Sequence, residues 1–269
     1  MTGDDIAVVG LGLLGGSLAR ALTSRGNRVV AVEPDATVRA LALDEGVVWE
    51  AHASIGAFLG RCELVILCAP VAAIEALLGP VSQAMSDGAI LTDVAGVKRA
   101  VLEAARGVRP GVRFVGAHPM FGGERGGFGA SRADVFAGGT VAVCEDGADE
   151  PAIARVSALY ASLGSKVVRC TAEAHDAAVA KISHLPYVVA HGVFDVAAGD
   201  ELATALAGPG FQGVTRLAGF AYDVQGEVAR RNPHLPAAID ALIARLGELK
   251  ASLGTSPDEA RRALEAKRR

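Results

Sequence analysis

The chain has 269 residues, 51% hydrophobic and 21% charged, enough apolar material for two modest domains and too much for a disordered chain. A net charge of −4 with scattered basic residues excludes a binder of phosphate backbones, so no nucleic-acid partner is expected. No apolar run reaches the ~18 residues of a membrane span, and Met1 is followed by no basic stretch of a signal peptide, so a cytoplasmic protein with no membrane partner is expected.

Strand-like runs occupy residues 6–10, 28–33, 63–69, 89–93, 113–117, 140–144 and 166–170, separated by helical patterns. Most are apolar on both faces, as in a parallel sheet buried between helix layers. The first run leads into Gly10-Leu11-Gly12-Leu13-Leu14-Gly15, and a helix over 17–25 follows, ending at Gly26. In that context Gly10 permits the tight turn, Gly12 lets backbone approach a diphosphate, and Gly15 lets helix and strand pack closely. The helix N-terminus, with Leu13 and Leu14 at its start, supplies amides and dipole to hold the diphosphate. The second strand ends in Glu33, near the ~20-residue offset of a ribose-binding acid. A carboxylate there, with Asp35 beside it, repels a 2′-phosphate, so the expected cofactor is NAD rather than NADP.

Two later strand ends carry chemistry toward the crevice. One is Asp93-Val94-Ala95-Gly96-Val97-Lys98, in which Lys98 reads as a solvated helix residue. The other is His118-Pro119-Met120, where Pro119 is expected to stop the strand and leave an imidazole at the rim. A histidine titrates in the range a general base needs to take a hydroxyl proton as hydride leaves carbon. The glycine-rich stretch 122–139 reads as a long mobile loop over the cleft. Cys62, Cys68, Cys144 and Cys170 lack CxxC spacing and read as buried free thiols.

After Cys170 the pattern becomes helical, broken by Pro186, Pro209, Pro233 and Pro257. The expected architecture is α/β, with an N-terminal Rossmann doubly wound sheet over 1–170 and an all-helical part over 171–269. Pro186 should disturb its helix and free the carbonyl of Ile182. His184 and His191 share a helix face without the carboxylates a metal pair prefers, so no metal is expected.

Three segments in this order carry a resemblance: His118-Pro119-Met120-Phe121-Gly122-Gly123-Glu124; His175-Asp176 followed by Lys181-Ile182-Ser183-His184-Leu185-Pro186; and Gly210-Phe211 leading to Thr215-Arg216. With the N-terminal glycines and the Asp93 to Lys98 segment, they resemble the prephenate and arogenate dehydrogenases of tyrosine biosynthesis. The resemblance implies NAD-dependent oxidative decarboxylation of prephenate to 4-hydroxyphenylpyruvate. It makes His118 the base on the ring hydroxyl, places Glu124 in the polar network, puts His184 near the nicotinamide and gives Arg216 a substrate carboxylate. Asp93 falls in a cofactor-side motif. It further implies that the helical half is a homodimer interface. At two substrate-side positions the chain departs from the family: Gly96 stands where many members have serine, and Tyr187 where many have histidine. Without a side chain at Gly96, His118 is expected to be oriented by backbone or water. These departures keep arogenate and 4-amino-4-deoxyprephenate open as substrates. Rival readings are a β-hydroxyacid dehydrogenase or imine reductase using Lys181, and a non-catalytic NAD-binding sensor.

Overall fold

A computed structural model describes residues 5–121 and 126–265. The N-terminal half contains β1 (Asp5–Val9), α1 (Leu13–Thr23), β2 (Arg28–Val32), α2 (Ala36–Asp44), β3 (Glu50–His52), β4 (Leu64–Leu67), α3 (Val71–Ala84), β5 (Ile90–Asp93), α4 (Arg99–Ala104) and β6 (Arg113–Val115). These strands form one parallel sheet in the order β3-β2-β1-β4-β5-β6, reversing direction of winding beside β1, where the glycine turn sits. Short β3 has too few apolar residues to stand out as a strand in the sequence.

Alternation along each strand divides the core. On β1, Ile6 and Val8 face one apolar cluster with Leu18 and Leu22 of α1, while Ala7 and Val9 face a second with Ile74 and Leu78 of α3. All are buried, and each Leu or Ile so removed from water contributes roughly 1.5–3 kcal/mol before entropy is counted.

The sequence suggests one strand over 113–117; the chain instead breaks at Gly116 and starts a second sheet. Strand β7 (Ala117–Pro119) pairs antiparallel with β8 (Thr140–Cys144), which pairs parallel with β9 (Lys166–Cys170); α5 (Glu150–Ser162) connects the last two. His118 is therefore the central residue of a short strand, opposite Ala142, rather than a loop residue beyond a strand end. Pro119 closes the strand without preventing it, because a proline is tolerated at a strand terminus.

The stretch expected to be a mobile loop is also partly packed. Phe128 and Phe136 are buried, Ser131 Oγ accepts a 2.9 Å hydrogen bond from Arg20 Nε of α1, and the Arg132 amide donates to Ser17 Oγ at 3.0 Å.

Among the described residues, the last strand ends at Cys170. Helices α6 (Ala172–Val179), α7 (Leu185–Ala197), α8 (Glu201–Ala205), α9 (Pro209–Thr215), α10 (Glu227–Arg231), α11 (Leu235–Leu253) and α12 (Pro257–Glu265) follow. Thr171 caps α6 by accepting from the Ala174 amide at 3.2 Å. The buried residues of α6 are Ala172, His175, Asp176 and Val179, the spacing of one helical face, and that face lies against the first half. Between α6 and α7 the chain takes one wide π turn over Ala180–His184. Pro186, in the first turn of α7, has no amide to offer the Ile182 carbonyl, and the irregular turn falls where that bond is lost. Among the described residues, no helix is long and apolar enough to cross a membrane.

Candidate active site

The glycine turn is built by exclusion. Gly10 has φ +95°, and a Cβ there would lie 2.4 Å from the Cys68 carbonyl oxygen; a Cβ on Gly15 would lie 1.9 Å from the Gly10 oxygen. Neither position admits a side chain without moving backbone. Gly12 differs: nothing lies within 4 Å of its missing Cβ, so its surface is open to a ligand. Glu33 closes the turn from the side, its Oε2 accepting from the Leu11 amide at 2.8 Å and its Oε1 from the Asp35 amide at 2.9 Å. Asp35 stays ionised, held below the ordinary carboxylate range by the amides of Thr37 and Val38 at the start of α2.

From this turn a cleft of about 370 Å³ runs between the two halves. Gly12, Leu13 and Leu14 form one wall, Val94, Ala95 and Gly96 the floor, and Phe220, Gln225 and Val228 of the helical half the facing wall. Gly96 meets His118: a Cβ on Gly96 would stand 3.5 Å from His118 Nε2 and 3.5 Å from Val228 Cγ1. Burial and the nearby His175, Lys98 and His184 push the His118 imidazole well below its usual range. It is neutral at physiological pH, as a proton acceptor must be.

The orientation of His118 is set by a side chain from the helical half. Its Nδ1 lies 2.9 Å from His175 Nε2, and His175 Nδ1 lies 2.8 Å from Asp176 Oδ1. Asp176 is fully buried and also accepts from the backbone amides of Lys98 (2.8 Å, Oδ1) and Arg99 (3.0 Å, Oδ2) at the start of α4. Burial alone would raise its pKa, yet the bonds from His175 and from these two amides hold it below the ordinary value.

Two residues stand elsewhere than the sequence suggests. Asp93 does not face a cofactor. Its carboxylate is fully buried, accepting from the Ala95 amide (2.9 Å), the Ala117 amide (3.1 Å) and the Lys98 ammonium. Lys98 is not solvated; its side chain is buried, and Nζ also donates to the Ala117 carbonyl at 2.6 Å. The buried pair thus staples the first residue of β7 to the end of β5 and sets where His118 stands.

His184 and Tyr187 also lie elsewhere than expected. His184 is 1% exposed. Asn232 donates its Nδ2 to His184 Nδ1 at 3.0 Å, and the Asn232 amide is fixed in that sense because its Oδ1 accepts from the His234 amide at 2.9 Å. The other side of the ring bonds to the Gly96 backbone. Burial outweighs this bond and the nearby Asp176, bringing the imidazole down to about 4. His184 is therefore a neutral strut that holds the Gly96 backbone from behind, not a group presented to a nicotinamide. Tyr187 is buried with Ala229 and Leu235 in a small helical core, its ring edge-on to His191 at 4.7 Å between centroids. That core suits it because the tyrosine ring supplies more apolar area than its hydroxyl supplies polarity.

Arg216 is exposed at the start of a short turn over Arg216–Gly219, directly before the cleft-lining Phe220. Glu124 lies outside the described residues. Lys181, required by the rival lysine-based chemistry, is exposed. Asn232, His175 and Asp176 were given no role by sequence reasoning. The Asn232-Pro233 pair reads only as a turn, and nothing local reveals that its amide reaches back to the Asp176 carbonyl at 2.8 Å.

Residues 18–169 match the family model described as prephenate dehydrogenase, nucleotide-binding domain, and residues 171–264 match the model described as prephenate dehydrogenase, dimerization domain. The chain belongs to the prephenate dehydrogenase family. Its members are oxidoreductases, and the Rossmann half is the nucleotide-binding one. Among solved structures the chain is similar to Synechocystis arogenate dehydrogenase, with TM-score 0.84 and 30% identity over 97% of this chain and 96% of that one. Prephenate dehydrogenase from Aquifex aeolicus shares the fold, with TM-score 0.84 and 23% identity over 97% and 96% of the two chains. Among curated proteins, cyclohexadienyl dehydrogenase of Zymomonas mobilis is 28% identical over 93% of this chain and 88% of its own length. Prephenate dehydrogenase of Bacillus subtilis is 28% identical over 80% of this chain, which spans 60% of that enzyme.

Proposed function

We propose that the protein is an NAD-dependent dehydrogenase that oxidises prephenate with loss of CO2 to give 4-hydroxyphenylpyruvate. The observation that carries this reading is the meeting of His118 Nε2 with Gly96 on the floor of a cleft that begins at the glycine turn. A neutral imidazole there is a base within reach of a ring hydroxyl, on the nicotinamide side of a dinucleotide fold.

The residues present fit NAD. The open face of Gly12 and the amides at the start of α1 suit a diphosphate, and Glu33 keeps lone pairs for the ribose hydroxyls at a position where a 2′-phosphate would meet two carboxylates. NAD bound there would supply the acceptor for the C4 hydride. His118 takes the C4 hydroxyl proton at Nε2 as hydride leaves and the carbonyl forms. The C1–carboxyl bond then releases CO2, its electron pair completes the aromatic ring through the C4 carbonyl, and the C4 oxygen takes the proton back from His118 Nε2. Arg216 pairs with a substrate carboxylate, and Glu124 serves the polar network of the site. Gly96 and the apolar side chains of Val94, Phe220 and Val228 form the dry floor and walls against which the ring packs.

The similarity to an arogenate dehydrogenase favours arogenate as the second substrate to try. The helical half exposes Phe194, Val196, Leu202, Leu206, Ile243 and Leu246, an apolar surface that suits a homodimer interface.

The test follows absorbance at 340 nm with NAD and either prephenate or arogenate, for the native protein and for His118→Asn. The expected result is NADH from prephenate, reduced by roughly 10² or more in the variant, with NAD affinity unchanged. Turnover of arogenate alone moves the substrate and keeps the mechanism. NAD binding without turnover of either compound defeats the reading and favours the sensor.

A further inference from the structure

We propose that His175 and Asp176, both from the helical half, are positioning residues that hold His118 in the one tautomer whose Nε2 lone pair faces Gly96 on the cleft floor. The inference rests on the reading of His118 as the base and adds to it a chain of three side chains running across the boundary between the halves.

The direction of that chain follows from its far end. Asp176 is ionised and can only accept. Its Oδ1 takes the Lys98 amide and its Oδ2 the Arg99 amide, so the carboxylate cannot turn away. The ring nitrogen of His175 that lies 2.8 Å from Oδ1 must therefore carry hydrogen. With a single ring hydrogen, His175 holds it on Nδ1 against the carboxylate, and Nε2 is left with a lone pair. That lone pair lies 2.9 Å from His118 Nδ1, which must then be the donor. With its hydrogen on Nδ1, His118 presents an unprotonated Nε2, the atom nearest Gly96.

Burial makes the selection strong. His175 is 4% exposed and Asp176 fully buried, so water does not compete for these nitrogens. The wrong tautomer of His118 would set two lone pairs against each other at 2.9 Å. The same chain also acts once Nε2 has taken the substrate proton. The His118 cation keeps its Nδ1–H bond to His175, and the Asp176 carboxylate behind His175 faces the new charge, which opposes the repulsion from Lys98. A carboxylate that orients and stabilises a catalytic imidazole is the logic of the hydrolase triad, here with one histidine interposed.

The arrangement also makes catalysis depend on docking of the two halves. Asp176 is bound to the start of α4, and Asn232 donates to the Asp176 carbonyl from the far side. A helical half that is folded but displaced would leave His118 free to take either tautomer.

The direct test is nitrogen-15 NMR of the imidazoles in the apo protein at neutral pH, which needs neither substrate nor turnover. His118 is expected to show protonated Nδ1 and unprotonated Nε2, and in His175→Ala a mixture of tautomers. A native His118 protonated on Nε2, or an unchanged tautomer in His175→Ala, overturns the proposal. Kinetics supply the second arm. His175→Ala should lower kcat by roughly 30-fold or more with KM for both substrates within about threefold. His175→Gln keeps a carbonyl acceptor for Nδ1–H and should recover much of that loss. Equal losses in both variants, or losses that follow the drop in melting temperature, leave His175 merely structural and defeat the proposal. If NMR gives the expected tautomer and no dehydrogenase substrate is turned over, the positioning stands and only the functional reading falls.

Discussion

The two sides of the cleft are made in different ways. The cofactor side is local: one strand, one turn and one helix within residues 5–23, with Glu33 reaching back to the Leu11 amide. The His118 side is assembled from pieces distant in the chain: the end of β5, the start of β7, the buried face of α6, the π turn and Asn232. The first is rigid because glycines leave no alternative. The second is rigid because buried charges and imidazoles satisfy one another, so each member depends on the rest. Damage to the first side should therefore remove a function while sparing the fold of the second, whereas damage to the second should cost stability and function together.

The sharpest separation of the two comes from Gly15→Ala set against His118→Asn. A Cβ at residue 15 would stand 1.9 Å from the Gly10 oxygen, so the turn must open. NAD affinity should fall by on the order of 10² or more, while far-ultraviolet circular dichroism stays native. His118→Asn should do the reverse, losing turnover and keeping NAD, both read by calorimetric titration. If the two variants lose NAD alike, the sides are not separable.

Lys98→Met probes the assembled side. It leaves the fully buried Asp93 carboxylate without its ammonium partner and the Ala117 carbonyl without its donor. Breaking a buried pair from one side costs about 3–5 kcal/mol, and urea unfolding should show that loss. A loss below 1 kcal/mol would mean that water reaches the pair and that it does not set β7.

What could be read in advance follows this division. Gly10, Gly12, Gly15, the helix and Glu33 lie within a few turns of one another, so spacing alone conveyed their geometry. The apolar strands betrayed the parallel sheet, and the change to helical periodicity marked the end of strands at Cys170. Asp93 and Lys98 were misjudged because a surface acid and a surface lysine look the same in sequence as a buried pair. Only the parallel register of β4, β5 and β6, together with the break at Gly116, puts them inside. The motif places His184 near the nicotinamide, yet its ring is turned toward Asn232. Its partner lies in a segment where the only legible feature is a turn. His175 and Asp176 were visible as a pair, and their role was not, since it depends on which strand His118 occupies.

Acid should distinguish the two sides again, with a smaller effect. His184 is held neutral in the folded state, its pKa brought down to about 4 from an ordinary value near 6.5. The unfolded chain therefore binds a proton that the folded one refuses. This stabilising contribution is complete above about pH 6.5 and is lost as pH falls toward 4; linkage bounds it at roughly 3 kcal/mol. His118, also depressed, acts in the same direction. Urea unfolding of the native protein should lose stability between pH 7 and pH 5. His184→Gln should flatten that slope, because a glutamine can still bridge Asn232 and the Gly96 backbone without titrating. An unchanged slope would place the acid sensitivity in other groups.

The smallest expected effect is at Gly96, where the two sides meet. A Cβ there makes ordinary contacts of 3.5 Å with His118 Nε2 and Val228 Cγ1, and the φ angle is not one that disfavours side chains. Gly96→Ser should therefore fold with stability changed by no more than about 0.5 kcal/mol. Its hydroxyl would stand next to Nε2, the acceptor atom of the base, rather than next to Nδ1, which His175 already occupies. If the orientation of His118 is already supplied from behind, the serine adds nothing to it. kcat should then change by less than about fivefold, with any larger effect confined to KM for the ring substrate. A rise in kcat of tenfold or more would show that His118 in the native protein is under-oriented, and that a residue at the floor of the cleft does what we assign to the chain of His175 and Asp176 behind it.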